Sequence, residues 1–263
     1  MGSATREALA AATAVLAKQA KVSLGAGEQL LDASLLVAGS PQLRSALADD
    51  TAEAANKLGI VDAVFTAYEP VAKSVLESLV VQRWSSAADL VAGIEELGIR
   101  AIADSAPKSV SIDDELFIFS TAVASNPKLE LALGSKLGSV DGRIALVRGL
   151  LGGKASEQTV SIVAALIAQP RGRRIGELLR YGANLVADQA GVAIATVTVA
   201  VSLSQARLER LEKALSAQFG KDIRINLVVD DRVLGGMRVQ IGDEVIDGTI
   251  SNRISDLRLQ LAG

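Results

Sequence analysis

The chain contains no cysteine and no histidine among its 263 residues. Without cysteine there is no disulfide framework and no thiolate metal site, a pattern that suits a reducing compartment. Without histidine the commonest general base and the commonest metal ligand are both missing. Aromatic residues are scarce, 3% of the chain against 49% hydrophobic. Alanine, leucine and valine must therefore build the core, which favours close-packed helices, and the length is ample for one. Long apolar runs are missing too. The longest, 160–168 and 191–203, fall short of the roughly 18 to 20 residues that span a membrane. The first residues lack a basic segment followed by an apolar stretch, so no secretory signal is expected. Neither charge sign dominates: 27 lysines and arginines against 30 acids give a net charge of −3, which argues against a general nucleic-acid binder. The expectation is a soluble chain of one to three domains that meets a membrane only through a partner.

What is present reads first as helix. Through residues 1–190, apolar residues recur at spacings of three and four. Leu9 and Leu16 mark a first helix that Ser3 or Thr5 can cap. Leu30, Leu31, Leu35 and Leu36 mark a second. Ser40 and Pro41 open a short third, with proline at its favoured first position. A break at Ala106–Ser109 separates this half from a second run that begins with acidic residues at Asp113, Asp114 and Glu115, next to the positive end of a helix dipole. The segment from Val37 to Leu47 then recurs from Val123 to Leu133, with Pro41 matched by Pro127 (127 − 41 = 86) and Leu43 by Leu129. A fixed separation in a shared helix, cap, proline, helix order predicts an internal duplication.

From Gly191 the pattern changes. Residues 192–201 are β-branched and alternate, as a strand does. Residues 204–219 form an amphipathic helix with Leu208, Leu211 and Leu215 on one face, stopped at Gly220. Period-two alternation returns at Ile223, Ile225 and Leu227, and again at Met237, Val239 and Ile241. Asp230 and Asp231, then Gly242 and Asp243, punctuate these runs as turns. A short helix is expected from Ser251, with Ile254, Leu257 and Leu261 at helical spacing. The predicted fold is α+β: mainly α-helical bundles, tandem and duplicated, over 1–105 and 106–190, followed by a small α+β C-terminal domain over 191–263.

This last stretch carries a resemblance. An apolar strand through Val228, an acidic turn at Asp230, then Leu234, Gly235, Gly236 and Val239, then Gly242 and Asp243, then Ile246, Asp247 and Gly248, then Leu257, resemble the C-terminal signature of the delta subunit of F-type ATP synthases, the family of the oligomycin-sensitivity-conferring protein. Arg174, Tyr181, Val197 and Leu203 extend the likeness upstream. The resemblance implies a non-catalytic stator, or peripheral-stalk, subunit. Its helical part would grip the N-terminal helices of alpha subunits on the catalytic head. Its C-terminal domain would bind the b subunit, and the two together would resist rotor torque. It implies no catalytic residue, no cofactor and no metal. It also implies a peripheral place on the cytoplasmic side of the cell membrane, as part of the complex. Bacterial members usually carry one helical bundle, and here there are two copies to consider. Some actinobacterial members fuse the membrane helix of b to this chain. No such helix is seen here, so a separate b subunit is expected. Each copy would offer an apolar groove for an alpha helix, one near Leu9, Leu16, Val75 and Leu79, the other near Ile102, Ile162 and Leu166.

Other motifs read more plainly. Residues 149–156 suggest a phosphate loop, but Arg148 stands where its first glycine belongs and Ala155 where serine or threonine must follow the lysine; an interhelix turn is expected. Asp230 and Asp231, adjacent at a strand end, point to different faces and make a turn rather than an acid pair. Gly235 and Gly236 read as a bulge or tight bend. Arg171, Arg173 and Arg174 read as a solvated helix start or a contact with an acidic subunit. Trp84 reads as a packing residue with its N–H at a boundary. The alternative to a stator is an unrelated helical adaptor with a small β domain, which has no reason to carry the ordered C-terminal signature.

Overall fold

The structure is a computed structural model that describes residues 2–135, 138–242, 244–252 and 254. Asp243, Leu257 and Leu261, named above, lie outside the described residues. The elements run α1 (Ser3–Ala17), α2 (Leu24–Gly39), α3 (Pro41–Ala48), α4 (Ala54–Val64), α5 (Pro70–Val80), α6 (Ala87–Ser105), α7 (Ile112–Ala124), α8 (Pro127–Gly134), α9 (Val140–Leu151), α10 (Glu157–Ala168), α11 (Ile175–Gln189), β1 (Val192–Val199), α12 (Gln205–Phe219), β2 (Asp222–Val229), β3 (Met237–Ile241) and β4 (Glu244–Asp247). The fold is α+β with a helical N-terminal region. The chain divides into two compact units between Val186 and Ala187.

Helix starts follow side-chain chemistry. Ser23, Ser40, Ser86, Asn126, Ser139 and Ser156 each accept a backbone N–H of the first turn of α2, α3, α6, α8, α9 and α10, satisfying a donor that has no intrahelical partner. Pro41 and Pro127 both stand at first-turn positions, where a missing N–H costs nothing. Neither Ser3 nor Thr5 caps α1; Gly2 stands at the cap position with no side-chain bond. Thr5 is buried instead, and its hydroxyl donates to Asp89 at 3.1 Å, tying α1 to the start of α6.

The first core gathers α1, α2, α5 and α6 around Leu16, Leu30, Val75, Leu79, Ile94 and Leu97. The α2–α6 crossing is close because glycines face it. A methyl on Gly27 would stand 2.8 Å from the backbone nitrogen of Ile102, and one on Gly98 would stand 2.9 Å from the Leu31 side chain. Trp84 lies over Gly93 and donates its indole N–H to the Leu79 carbonyl at 2.9 Å. A helix on a bundle surface alternates exposed and buried faces. In α6 every residue from Gly93 to Ile102 is buried, because α6 packs against α1, α2, α3 and α5 and also against α10.

In the second unit the sheet order is β2-β1-β3-β4. β1 and β2 are parallel, joined across α12; β1–β3 and β3–β4 are antiparallel. Val197 pairs with Leu227 on one side and Val239 on the other. Alternation places Ala195, Val197, Val199, Ile223 and Val239 on one face with Leu211, Leu215 and Phe219 of α12. Gly220, at φ 66°, ends α12 in the left-handed conformation that glycine adopts freely. The fourth strand was not expected from the sequence. All four of its residues are exposed, so it lacks the burial alternation that reveals a strand, and it is defined by pairing with β3 alone.

Candidate docking surfaces

The seven residues expected to line partner grooves are interior. Leu9, Leu16, Val75 and Leu79 belong to the first core, and Ile102, Ile162 and Leu166 are fully buried. They hold their helices together, and a partner laid on either face would meet their exposed neighbours.

The C-terminal signature residues converge on backbone work at the sheet ends. Asp230 donates its N–H to the Val199 carbonyl at 2.9 Å, and its carboxylate takes two guanidinium bonds from Arg232 at 2.9 and 2.8 Å. The hydrogen bonds of Arg232 hold the Asp230 carboxyl below its usual range. Gly235 (φ 147°) and Gly236 (φ 79°) have positive φ. A side chain on Gly236 would strike the Gly248 carbonyl and stand 2.9 Å from Thr249 Cα. That clearance lets the segment after β4 dock: Gly248 N–H bonds the Met237 carbonyl at 2.9 Å, and Ile250 N–H bonds the Gly235 carbonyl at 3.0 Å. The Asp247 carboxylate accepts the Thr249 N–H at 3.0 Å and its hydroxyl at 2.7 Å, and these bonds hold that carboxyl below its usual range too. Gly242 (φ 56°) turns β3 into β4, and Val239 is core. Leu234 is the most exposed apolar residue of the signature among the described residues. It is 78% exposed, and Val201 (74%), Val229 and Ile250 are exposed apolar residues of the segments that follow β1, end β2 and follow β4. β1, β2 and β3 all bring those segments to one end of the sheet, so Leu234 belongs to an apolar patch.

The arginine cluster was misread by composition. Arg174 is exposed, but Arg171 turns inward. Its guanidinium pairs with Glu95 of α6 at 3.2 Å and donates to the Val91 carbonyl at 3.1 Å and the Ser34 hydroxyl at 3.2 Å. These bonds hold Arg171 at φ 48°, a conformation that residues with a Cβ rarely adopt. Beside it, Glu96 pairs with Arg100 at 2.9 Å, and Arg173 lies 4.3 Å over the Tyr181 ring. Burial raises the Glu95 carboxyl above its usual range despite Arg171 and Arg173, and burial lowers the Arg171 guanidinium despite Glu95. Both shifts run toward the neutral form, so desolvation outweighs the attraction within the pair. Burial, with Glu96 and Glu95 nearby, pushes the Tyr181 hydroxyl up as well. This cluster fastens the segment between α10 and α11 to α2 and α6. The sequence signal that would have found it is the trio of charges Glu95, Glu96 and Arg100 within the otherwise apolar middle of α6, residues 90–103.

Comparison with known proteins decides the family. The family model for the ATP synthase delta (OSCP) subunit matches residues 99–261. The ATP synthase subunit delta of Leifsonia xyli is 49% identical over 264 residues, covering the whole of both chains. The chain belongs to the ATP synthase delta (OSCP) family. Other delta subunits agree: that of Thermobifida fusca is 36% identical over 90% of each chain, and that of Streptomyces coelicolor is 36% identical over all of this chain and 98% of its own. A chain of the Toxoplasma gondii mitochondrial ATP synthase hexamer matches with a TM-score of 0.42 at 15% identity, over 64% of this chain and 95% of that one. As a family member the protein is a peripheral-stalk subunit of F-type ATP synthase. The family model begins within α6, so it takes in α7–α11 and the small unit and leaves α1–α5 outside. Those first helices lie within the span aligned to the Leifsonia relative. No helix of the described residues is long and apolar enough to cross a membrane.

Proposed function

We propose that this delta-family subunit is a non-catalytic connector. Its helical unit grips N-terminal helices of alpha subunits on the catalytic head, and its small unit binds the b subunit. The protein sits peripherally on the cytoplasmic side of the membrane through the complex. The observation that carries the stalk assignment is Leu234. Most of its neighbours in the signature serve turns, tight approaches or the core, and Ile246 of β4 is 38% exposed, whereas Leu234 is 78% exposed beside other exposed apolar residues. Exposed apolar patches mark docking surfaces, and a few residues that become buried there supply most of the affinity. Two units gripping different partners also raise each other's effective concentration.

The helical unit is, in this reading, a duplication whose copies share α6. Three correspondences support it. Pro41 and Pro127 open α3 and α8 behind Ser40 and Asn126 caps. The Gln29 side chain of α2 accepts the Glu69 N–H ahead of α5 at 2.7 Å, and Glu115 of α7 accepts the Ser156 N–H ahead of α10 at 3.0 Å. α6 packs against helices before it and also against α10.

The test is a chain ended after Gln189, the last residue of α11. It should bind the isolated head as the full chain does and lose binding to purified b subunit. Equal binding of b by the shortened and full chains would remove the assignment.

A further inference from the structure

α4 starts without a side-chain cap. Glu53 stands at its N-cap and makes no capping bond. Among the described residues the N–H groups of Ala54 and Ala55 have no hydrogen-bond partner, and they stand at the positive end of the helix dipole. The helix at the same offset in the second half differs. Ser139 (139 − 53 = 86) caps α9 by accepting the Gly142 N–H at 3.0 Å. A pocket of about 260 Å³ opens beside the start of α4, where the chain leaves α5. Ala54 and Lys57 line it from α4, and Gln82, Arg83 and Asp50 line the rest of its wall. Lys57 is the unusual member. It is 4% exposed, a burial that lysine almost never reaches unless paired. Among the described residues its ammonium makes no hydrogen bond and no ion pair. Its charge is felt at Asp49, whose carboxyl is held below its usual range by the Thr51 hydroxyl and N–H and, less strongly, by Lys57. Helical side chains lean toward the N-terminus of their helix, so Lys57 leans back over the first turn toward Ala54. Arg143 of α9 (143 − 57 = 86) is 9% exposed, so both halves bury a cation at this position. Only α4 sets it beside an uncapped first turn and a pocket. Asp50 opposes an anion, but it pairs with Arg83 at 3.5 Å, which leaves Lys57 and the helix end to set the local sign.

We propose that this pocket binds a phosphate group, held by the Lys57 ammonium and by the free N–H groups that open α4, with Gln82 and Arg83 at its rim. A buried ammonium without a counter-charge costs free energy, and a bound anion recovers part of it. Helix N-termini take phosphate through N–H donors and dipole together, and hydrogen bonds between ionised partners are the strong ones. The volume is several times the roughly 30 Å³ of one water, so the anion enters with part of its hydration. The site lies within the helical unit and needs no other subunit, so it stands apart from the stator assignment.

The test titrates the full-length chain with inorganic phosphate in a calorimeter, at constant ionic strength set with chloride. One saturable site is expected. Lys57→Met keeps the apolar stem and removes the charge, and it should weaken binding at least about tenfold, the scale of one lost charged contact. Asp50→Asn removes the opposing carboxylate from an exposed position and should tighten binding. No saturable binding overturns the proposal, and so does equal affinity in Lys57→Met. Should Lys57→Met fail to fold, Asp50→Asn decides, and unchanged or weaker binding by it overturns the proposal. Displacement of phosphate by acetate at equal concentration also overturns it, because the pocket then takes a carboxylate. Displacement by AMP at equal concentration supports it with a phosphomonoester as the source of the group, and failure of AMP to displace supports it with the free ion.

Discussion

The two helical halves solve one problem with different residues. Ahead of α5, the neutral Gln29 amide oxygen takes the Glu69 N–H. Ahead of α10, the ionisable Glu115 takes the Ser156 N–H together with the Ser156 and Thr159 hydroxyls. The first half has α1 to close its core. The second leans on α6, which already belongs to the first. The middle of a helix shared in this way is buried on every face, so its polar groups must be answered within the helix, as Glu96 is by Arg100, or from the second half. Arg171 does that for Glu95. The comparison teaches that the first half is held by close apolar packing, and the second is joined to it by a buried charge cluster.

The largest expected effect is on that cluster. Arg171→Ala leaves Glu95 buried and unpaired, a loss of about 3 kcal/mol by the usual cost of breaking a buried pair from one side. Urea unfolding measures it, and hydrogen exchange should show α10 opening while α1 and α5 stay protected. Equal protection in both halves would break the comparison. Next comes the packing of the first half. Gly27→Ala gains about 1 kcal/mol of helix propensity, but its methyl meets the Ile102 backbone, which cannot swing aside. Overpacking of about 1–3 kcal/mol wins, and a lower thermal midpoint is expected; a higher one would show that α2 and α6 separate easily. The smallest effect is pH-dependent. Burial raises the Glu115 carboxyl, but the hydrogen bonds from Ser156 and Thr159 outweigh it and leave it below its ordinary 4.5. The folded state therefore favours the carboxylate. Its contribution is present above pH 4.5 and is lost as pH falls through the folded value. Glu115→Gln copies the first half, and it should flatten the acid limb of stability while changing neutral stability by less than about 1 kcal/mol. An unaltered acid limb would mean that another carboxylate controls it.

Much of this was legible in the sequence. Ser40 and Pro41, the alternation through β1, β2 and β3, and the stop at Gly220 all announce themselves because local chemistry decides them. The remainder is decided by neighbours. Leu9 and Leu16 on one helix and Val75 and Leu79 on another were expected to line a groove, but apolar spacing does not distinguish a core face from a groove face, and these are core. Arg171 reads as solvated because nothing nearby in the chain reveals that α6 lies against it, 76 residues earlier at Glu95 (171 − 95 = 76). β4 escaped because its side chains are exposed and only its pairing with β3 makes it a strand. In the small unit the signature was readable, yet its division of labour was not: only the tight approach at Gly236 and the exposure of Leu234 separate scaffold from surface.

The central claim is that the two units serve two different partners. Leu234→Asp in the full-length chain tests it most directly, because an exposed side chain can change without disturbing the core. Titrating purified b subunit and isolated head separately, the account predicts at least about a tenfold loss of affinity for b, the scale of one lost apolar anchor, and unchanged affinity for the head. Unchanged binding of b, or an equal loss toward both partners, would contradict it.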